Sequence, residues 1–186
     1  MKKIILFASG SGSNAEKIIR HCQEKKTMEV VRVYTNNPTA KVIDRANSLK
    51  VPVEVFNREN LNDGTIAEKL TQDAPDLIVL AGFLWKFPEA IVKLFPNKII
   101  NIHPALLPKY GGKGMYGMNV HQAVLDNKET ETGITIHYVN EHYDEGGIIF
   151  QKSVSIEDCI TADAIAEKIH VLEHLYFPEV IEKLLT

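Results

Sequence analysis

Cysteine is scarce: Cys22 and Cys159 are the two in 186 residues, and they match no metal or redox spacing. A disulfide framework is excluded on that count, and a reducing cytoplasm is the expected setting. A basic surplus is also lacking, since 21 Lys and Arg stand against 24 Asp and Glu, a formal charge of −3. Phosphate-backbone contacts call for the opposite balance, so no nucleic acid partner is expected. Long hydrophobic runs are missing too. The first apolar stretch, Ile4 to Ala8, gives way at once to glycine and serine and is too short for a signal segment. No run approaches the roughly 20 residues that cross a bilayer, so no membrane partner is expected. Repeats, low-complexity tracts and linkers are absent as well. What the chain does have is a hydrophobic content of 45%, enough for one domain with a real core and short for two.

Short β-branched runs alternate with helical stretches. "KIILFA" (3–8), "VVRVYTN" (30–36), "VPVEVF" (51–56), "DLIVLAGF" (76–83) and "KIINIH" (98–103) read as strands buried on both faces. Helices are expected near 14–24, 40–49, 64–73 and 88–95, the last opened by Pro88. This alternation predicts an α/β fold, an open, mostly parallel twisted sheet with helices on both faces. After residue 103 the rhythm breaks. A loop rich in Gly and Pro (104–118) leads to a helix near 119–127, and "TGITIHYV" (132–139) and "GIIFQKSVSI" (147–156) read as an antiparallel element. A long helix, with a kink at Pro178, is expected from Thr161 toward Leu185.

The first strand runs through Gly10-Ser11-Gly12-Ser13-Asn14-Ala15 into a helix, close to the dinucleotide fingerprint. That fingerprint also asks for an acid about 20 residues on, where this chain reads "YTNNP" with Asn36 and Asn37. A P-loop needs Gly-Lys-[Ser/Thr], and Ser13-Asn14 offers no lysine. Two readings stay open here. One is a small anion held at the helix N-terminus by free N–H groups and serine hydroxyls; the other is a plain turn capped by Ser13 or Asn14.

"NIHPALLPKY" (101–110) sets Asn101 and His103 on one face at the end of a strand. Open α/β sheets bind ligands at that carboxyl edge. An amide beside an imidazole suits acyl transfer: Asn101 can donate to a developing oxyanion, and His103 can donate or relay a proton near neutral pH. In "HYDEGGIIFQ", Asp144 lies in a loop able to bring a carboxylate over the edge. Read singly, His103 also suits a hydrogen-bonded structural role and Asp144 a turn. No metal is expected, because no second His or Cys falls at ligand spacing.

Together, Gly10-Ser11-Gly12-Ser13-Asn14, "LAGF" (80–83), "NIHPALLPKY", "TGITIHYV", Asp144-x-Gly146 and Glu173-His174-x-x-Phe177-Pro178 span nearly the whole chain. In that order they resemble the phosphoribosylglycinamide formyltransferases, folate-dependent enzymes of de novo purine synthesis. The resemblance implies one formyltransferase catalytic domain over 1–186, with nucleotide-phosphate binding in the N-terminal half and folate and catalytic residues in the C-terminal half. It implies transfer of the formyl group of the co-substrate 10-formyltetrahydrofolate to the amine of 5′-phosphoribosylglycinamide (GAR), giving formyl-GAR and tetrahydrofolate. Asn101, His103 and Asp144 would be catalytic. Asn101 and protonated His103 would stabilise the tetrahedral oxygen, and Asp144 would raise the His103 pKa and orient its ring. Gly12, Ser13 and Asn14 would hold the phosphate, Glu173 the amine or ribose, and Leu84, Trp85, Asn101 and Asp144 the folate. A monomer or weak homodimer is the expected assembly. Other formyl transfers from the same folate, hydrolysis of formyl-folate, and a non-catalytic nucleotide-binding module are the rival readings.

Four segments depart from the family pattern. Leu84-Trp85-Lys86 stands where many relatives read Met-Arg after Phe, so an indole would meet the folate or lie in the core. "GGKGMYGMN" (111–119) is longer than usual and reads as a lid or as an irregular loop. "RENLNDGTIAE" (58–68) does not match the usual Ser-Arg-x-x-[Tyr/Phe]-Asp, and no basic ligand is assigned there. His170, one turn before Glu173 where relatives carry Lys or Gln, suits a phosphate-facing side chain. His137 is expected to be structural, and His121 and His174 to pack or cap.

Overall fold

The computed structural model of the chain describes every residue except Tyr143. Seven strands form one sheet: β1 (Lys2–Phe7), β2 (Met28–Thr35), β3 (Val53–Val55), β4 (Leu77–Leu80), β5 (Ile99–His103), β6 (Glu131–Tyr138) and β7 (Ile148–Ser155). Their order is β3-β2-β1-β4-β5-β6-β7. The first five run parallel, β6 pairs antiparallel with β5, and β7 antiparallel with β6. Helices α1 (Ser13–Lys25), α2 (Val42–Ser48), α4 (Thr65–Asp73), α5 (Glu89–Leu94), α6 (Met118–Asp126) and α7 (Ala162–Leu185) follow the expected segments.

Strand β1 shows why the apolar runs are unbroken. Ile4 and Leu6 pack on one face with Ile18 and Ile19 of α1 and Ile169 and Phe177 of α7. Ile5 and Phe7 pack on the other with Leu70 of α4 and Ile91 of α5. Both faces are covered, so alternation with polar residues is lost. Each such side chain contributes about 1.5–3 kcal/mol by leaving water.

A short helix, α3 (Arg58–Asn62), was not foreseen. Five residues show no apolar period, and its support is local. Asn57 Oδ1 accepts from the Asn60 N–H at 2.9 Å, and Asn60 Oδ1 accepts from the Asn57 N–H at 3.3 Å. Helix α7 starts at a Thr161 cap that accepts from the Ala164 N–H, and it runs as one helix through Pro178. No helix among the described residues is long and apolar enough to cross a membrane.

The chain leaves β1 toward β2 on one side and reaches its other flank only with β4, so a crevice opens beyond the carboxyl ends of β1 and β4. Two bonds stitch that point. The Ser9 N–H donates to the Gly82 carbonyl at 3.0 Å, and the Leu84 N–H donates to Ser9 Oγ at 3.0 Å. On the same edge, α1 begins at Gly12 with φ 72° and no side-chain cap, which corrects the reading of Ser13 or Asn14 as the cap. A Cβ on Gly12 would lie 2.4 Å from Val42 Cγ2, so the start of α2 crosses the turn too closely for any other residue.

Candidate active site

A cavity of about 530 Å³ occupies this crevice. Gly12, Ser13, Asn14, Leu84, Trp85, Asn101, His103, Asp144, His170 and Glu173, far apart in sequence, all line it.

On its wall, the antiparallel β5–β6 register sets Asn101 opposite His137 and His103 opposite Thr135. The His103 Nε2–H donates to the Tyr110 carbonyl at 2.6 Å, while Nδ1 lies 3.7 Å from Asp144 Oδ2. A carbonyl only accepts, so Nε2 carries the proton and Nδ1 holds the lone pair of the neutral ring. His103 is only 3% exposed. Burial pushes its pKa below the usual histidine value and the His137 charge adds to this; Asp144 and the Tyr110 carbonyl oppose both and are outweighed. The protonated His103 expected from sequence is therefore corrected: Asp144 favours the charged ring, but burial favours the neutral one more strongly.

Asp144 takes a left-handed backbone, φ 53°, and its Oδ2 accepts from the Gly112 N–H at 3.0 Å. Burial alone would raise its pKa. The neighbouring His137 and His103 rings and the Gly112 N–H together reverse that and hold the carboxyl below the usual range.

His137 lies within this cluster, where a structural role was expected. Its Nδ1–H donates to the Tyr138 carbonyl at 2.9 Å, which leaves Nε2 to accept from Asn101 Nδ2 at 3.2 Å. The same Nε2 is 3.6 Å from Asp144 Oδ1. One N–H of the Asn101 amide is thus fixed by His137, and the amide's second N–H remains for a ligand. The only trace of this in the sequence is a shared spacing, Thr135-x-His137 facing Asn101-x-His103.

The α1 N-terminus also lines the cavity. Asn14 Nδ2 donates to Glu173 Oε2 at 2.9 Å, and Asn14 Oδ1 is buried with no partner among the described residues. Glu173 is 7% exposed, and burial raises its pKa against the Asn14 amide and the His170 charge. Ser13 Oγ is 3.1 Å from His174 Nε2, and the His174 ring stacks on His170 with centroids 6.1 Å apart. His174, expected to pack or cap, thus bonds a residue of the turn.

Trp85, also on the cavity wall, is half-buried, edge-on to Phe56 and Phe83. The Arg58 guanidinium of α3 stands 4.3 Å from the centre of its ring. The stretch to which no basic ligand was assigned therefore places a cation beside the indole. Among the described residues no cluster of three or more His, Cys, Asp or Glu is placed to hold a metal ion.

This arrangement offers an oxyanion donor in Asn101, a proton acceptor in His103 Nδ1 and a carboxylate in Asp144 to balance the charge that forms. It fits acyl transfer to a nucleophile brought by a substrate. Known proteins agree with that reading. The chain is 36% identical to a phosphoribosylglycinamide formyltransferase of Bacillus subtilis over 191 aligned positions, covering 100% of this chain and 95% of that one. It is 38% identical to the chloroplastic phosphoribosylglycinamide formyltransferase of Arabidopsis thaliana, where 97% of this chain spans 64% of the longer relative. Glycinamide ribonucleotide transformylase 1 of Geobacillus kaustophilus superposes with a TM-score of 0.91 at 33% identity, over 100% of both chains. The profile of the formyl transferase family matches residues 2–181. With fold, cavity and sequence in agreement over nearly its whole length, the chain belongs to the formyl transferase family.

Proposed function

We propose that the chain transfers the formyl group of 10-formyltetrahydrofolate to the amine of GAR, the activity for which its Bacillus relative is named. The observation that carries this is the convergence of Asn101, His103 and Asp144 on one cavity that the α1 N-terminus, Leu84 and Trp85 also line. The α1 N-terminus, with Gly12, Ser13, Asn14 and His170, suits a phosphate. Glu173, tied to Asn14, suits the sugar or amine beyond it. Leu84 and Trp85 offer an apolar wall for the folate, with Asn101 and Asp144 at its formyl end and Arg58 beside the indole for a carboxylate tail.

In this reading the GAR amine attacks the formyl carbon, a C–N bond forms and the carbonyl oxygen becomes an oxyanion that accepts from Asn101 Nδ2. The proton released by the amine passes to His103 Nδ1, and Asp144 stabilises the imidazolium. His103 then returns that proton to N10 of the folate as the old C–N bond breaks, giving formyl-GAR and tetrahydrofolate. A monomer or weak homodimer in the cytoplasm is the form in which we expect it to act.

Absorbance-monitored deformylation of a 10-formyl folate, with and without GAR, tests the proposal. Turnover that depends on GAR is the expected result. GAR-independent turnover would instead make the chain a formyl-folate hydrolase, and calorimetric binding of GAR with no binding of a folate analogue would make it a nucleotide-binding module.

A further inference from the structure

The cavity wall holds a second buried polar atom without a partner among the described residues: alongside Asn14 Oδ1 there is His121 Nδ1. His121 belongs to α6, an element with no part in the chemistry above, and it is 3% exposed. Leaving a buried nitrogen unpaired is destabilising, a cost that a leucine at this position would avoid. Its surroundings show what it faces. Helix α6 packs against α7, the carrier of His170 and Glu173. Both His170 and His103 are close enough to act on the His121 ring. In the GAR reading His170 meets the phosphate and His103 the reacting carbon, and in a phosphoribosyl substrate the sugar lies between those two groups.

We infer that His121 is a substrate-positioning residue that hydrogen-bonds a ribose hydroxyl of the ribonucleotide, sharing the sugar with Glu173. The inference rests on the GAR reading and adds a contact to it. Burial, with the His170 and His103 charges, pushes the His121 pKa down to about 4, so the ring is neutral at working pH with one donor and one acceptor. A hydroxyl both donates and accepts and so matches either ring nitrogen, whereas a phosphate would favour a charged ring that this position disfavours.

Steady-state kinetics of the wild type, His121→Leu and His121→Asn, with GAR and its 2-deoxyribosyl and 3-deoxyribosyl counterparts as acceptors, test the inference. His121→Leu should raise the KM for GAR about tenfold with kcat changed less than about twofold, the size of one lost hydrogen bond. His121→Asn should recover part of that loss. On the deoxy acceptor that lacks the contacted hydroxyl, wild type and His121→Leu should show the same KM. Equal proportional losses on all three acceptors, or a loss confined to kcat, would overturn the inference and leave His121 a packing residue. Thermal melts identify any variant that does not fold, and the Asn variant carries the same comparison if the Leu variant fails. Wild-type turnover of GAR separates the two levels: its absence overturns the GAR reading and this contact together, while its presence with indifferent His121 variants overturns the contact alone.

Discussion

His103 stands between a carboxylate that favours its charged form and a burial that opposes it, and burial dominates. The consequence is measurable. With histidine resonances followed by NMR from pH 8 to 4, His103 should titrate below 6.5, and in Asp144→Asn lower still, because the carboxylate's upward pull is gone. kcat should fall on the acid side as Nδ1 takes a proton and ceases to be a base. A His103 midpoint above 6.5 in the wild type would show instead that the ion pair governs the ring. At this scale the sequence carried the pairing of Asn101 and His103 on the cavity wall, since residues two apart on a strand share a face. It did not carry the choice of ring nitrogen, which the Tyr110 carbonyl settles by returning through a loop. The Arg58–Trp85 contact was not legible for a similar reason: the two residues stand 27 positions apart and meet only through the fold.

Among the elements, the β1–α1 turn is the most constrained. Gly12 has φ 72° and sits against Val42, so Gly12→Ala carries a left-handed backbone cost of roughly 1–2 kcal/mol and a clash that pushes α2 away. The expected outcome is a Tm lower by roughly 2–8 °C and a KM for GAR raised at least about tenfold, with folate affinity within about twofold of wild type. Gly10→Ala is the control, because a Cβ there meets nothing within 4 Å. If both variants bound GAR like wild type, the turn would not be the phosphate grip. The turn was visible in sequence as a glycine pattern, but the reason for its second glycine was not, since Val42 arrives from the next crossover. Strand β3 shows the opposite error. "VPVEVF" reads as six residues of strand, whereas the strand proper is Val53–Val55, extended by the Pro52 carbonyl, which accepts from the Val33 N–H, and the Phe56 N–H, which donates to the Thr35 carbonyl, while Val51 turns its N–H to the Ala46 carbonyl.

For the whole molecule, the parallel half of the sheet followed from strand-helix alternation, while the pairing of β6 with β5 did not. That register is set by a connection through the 104–118 loop and α6, and it is what brings His137 onto Asn101. The same assembly buries several ionisable groups, and their combined effect is a pH-dependent stability whose sign can be worked out. His121 has a pKa of about 4 in the fold against an ordinary 6.5. Between those values the unfolded chain binds more protons than the native one, so stability present above pH 6.5 is lost as pH falls, by on the order of 3 kcal/mol at pH 4. His103, also lowered, acts in the same direction. Glu173 acts against them, because its raised pKa makes the native state bind more protons just above 4.5, so its contribution is lost as pH rises. Urea denaturation from pH 8 to 4 should therefore show a decline that sets in below pH 6.5. His121→Leu should flatten that decline and Glu173→Gln should steepen it. If the acid decline in His121→Leu matched wild type, the His121 ring would be taking up its proton inside the fold, which a carboxylate partner would have to stabilise.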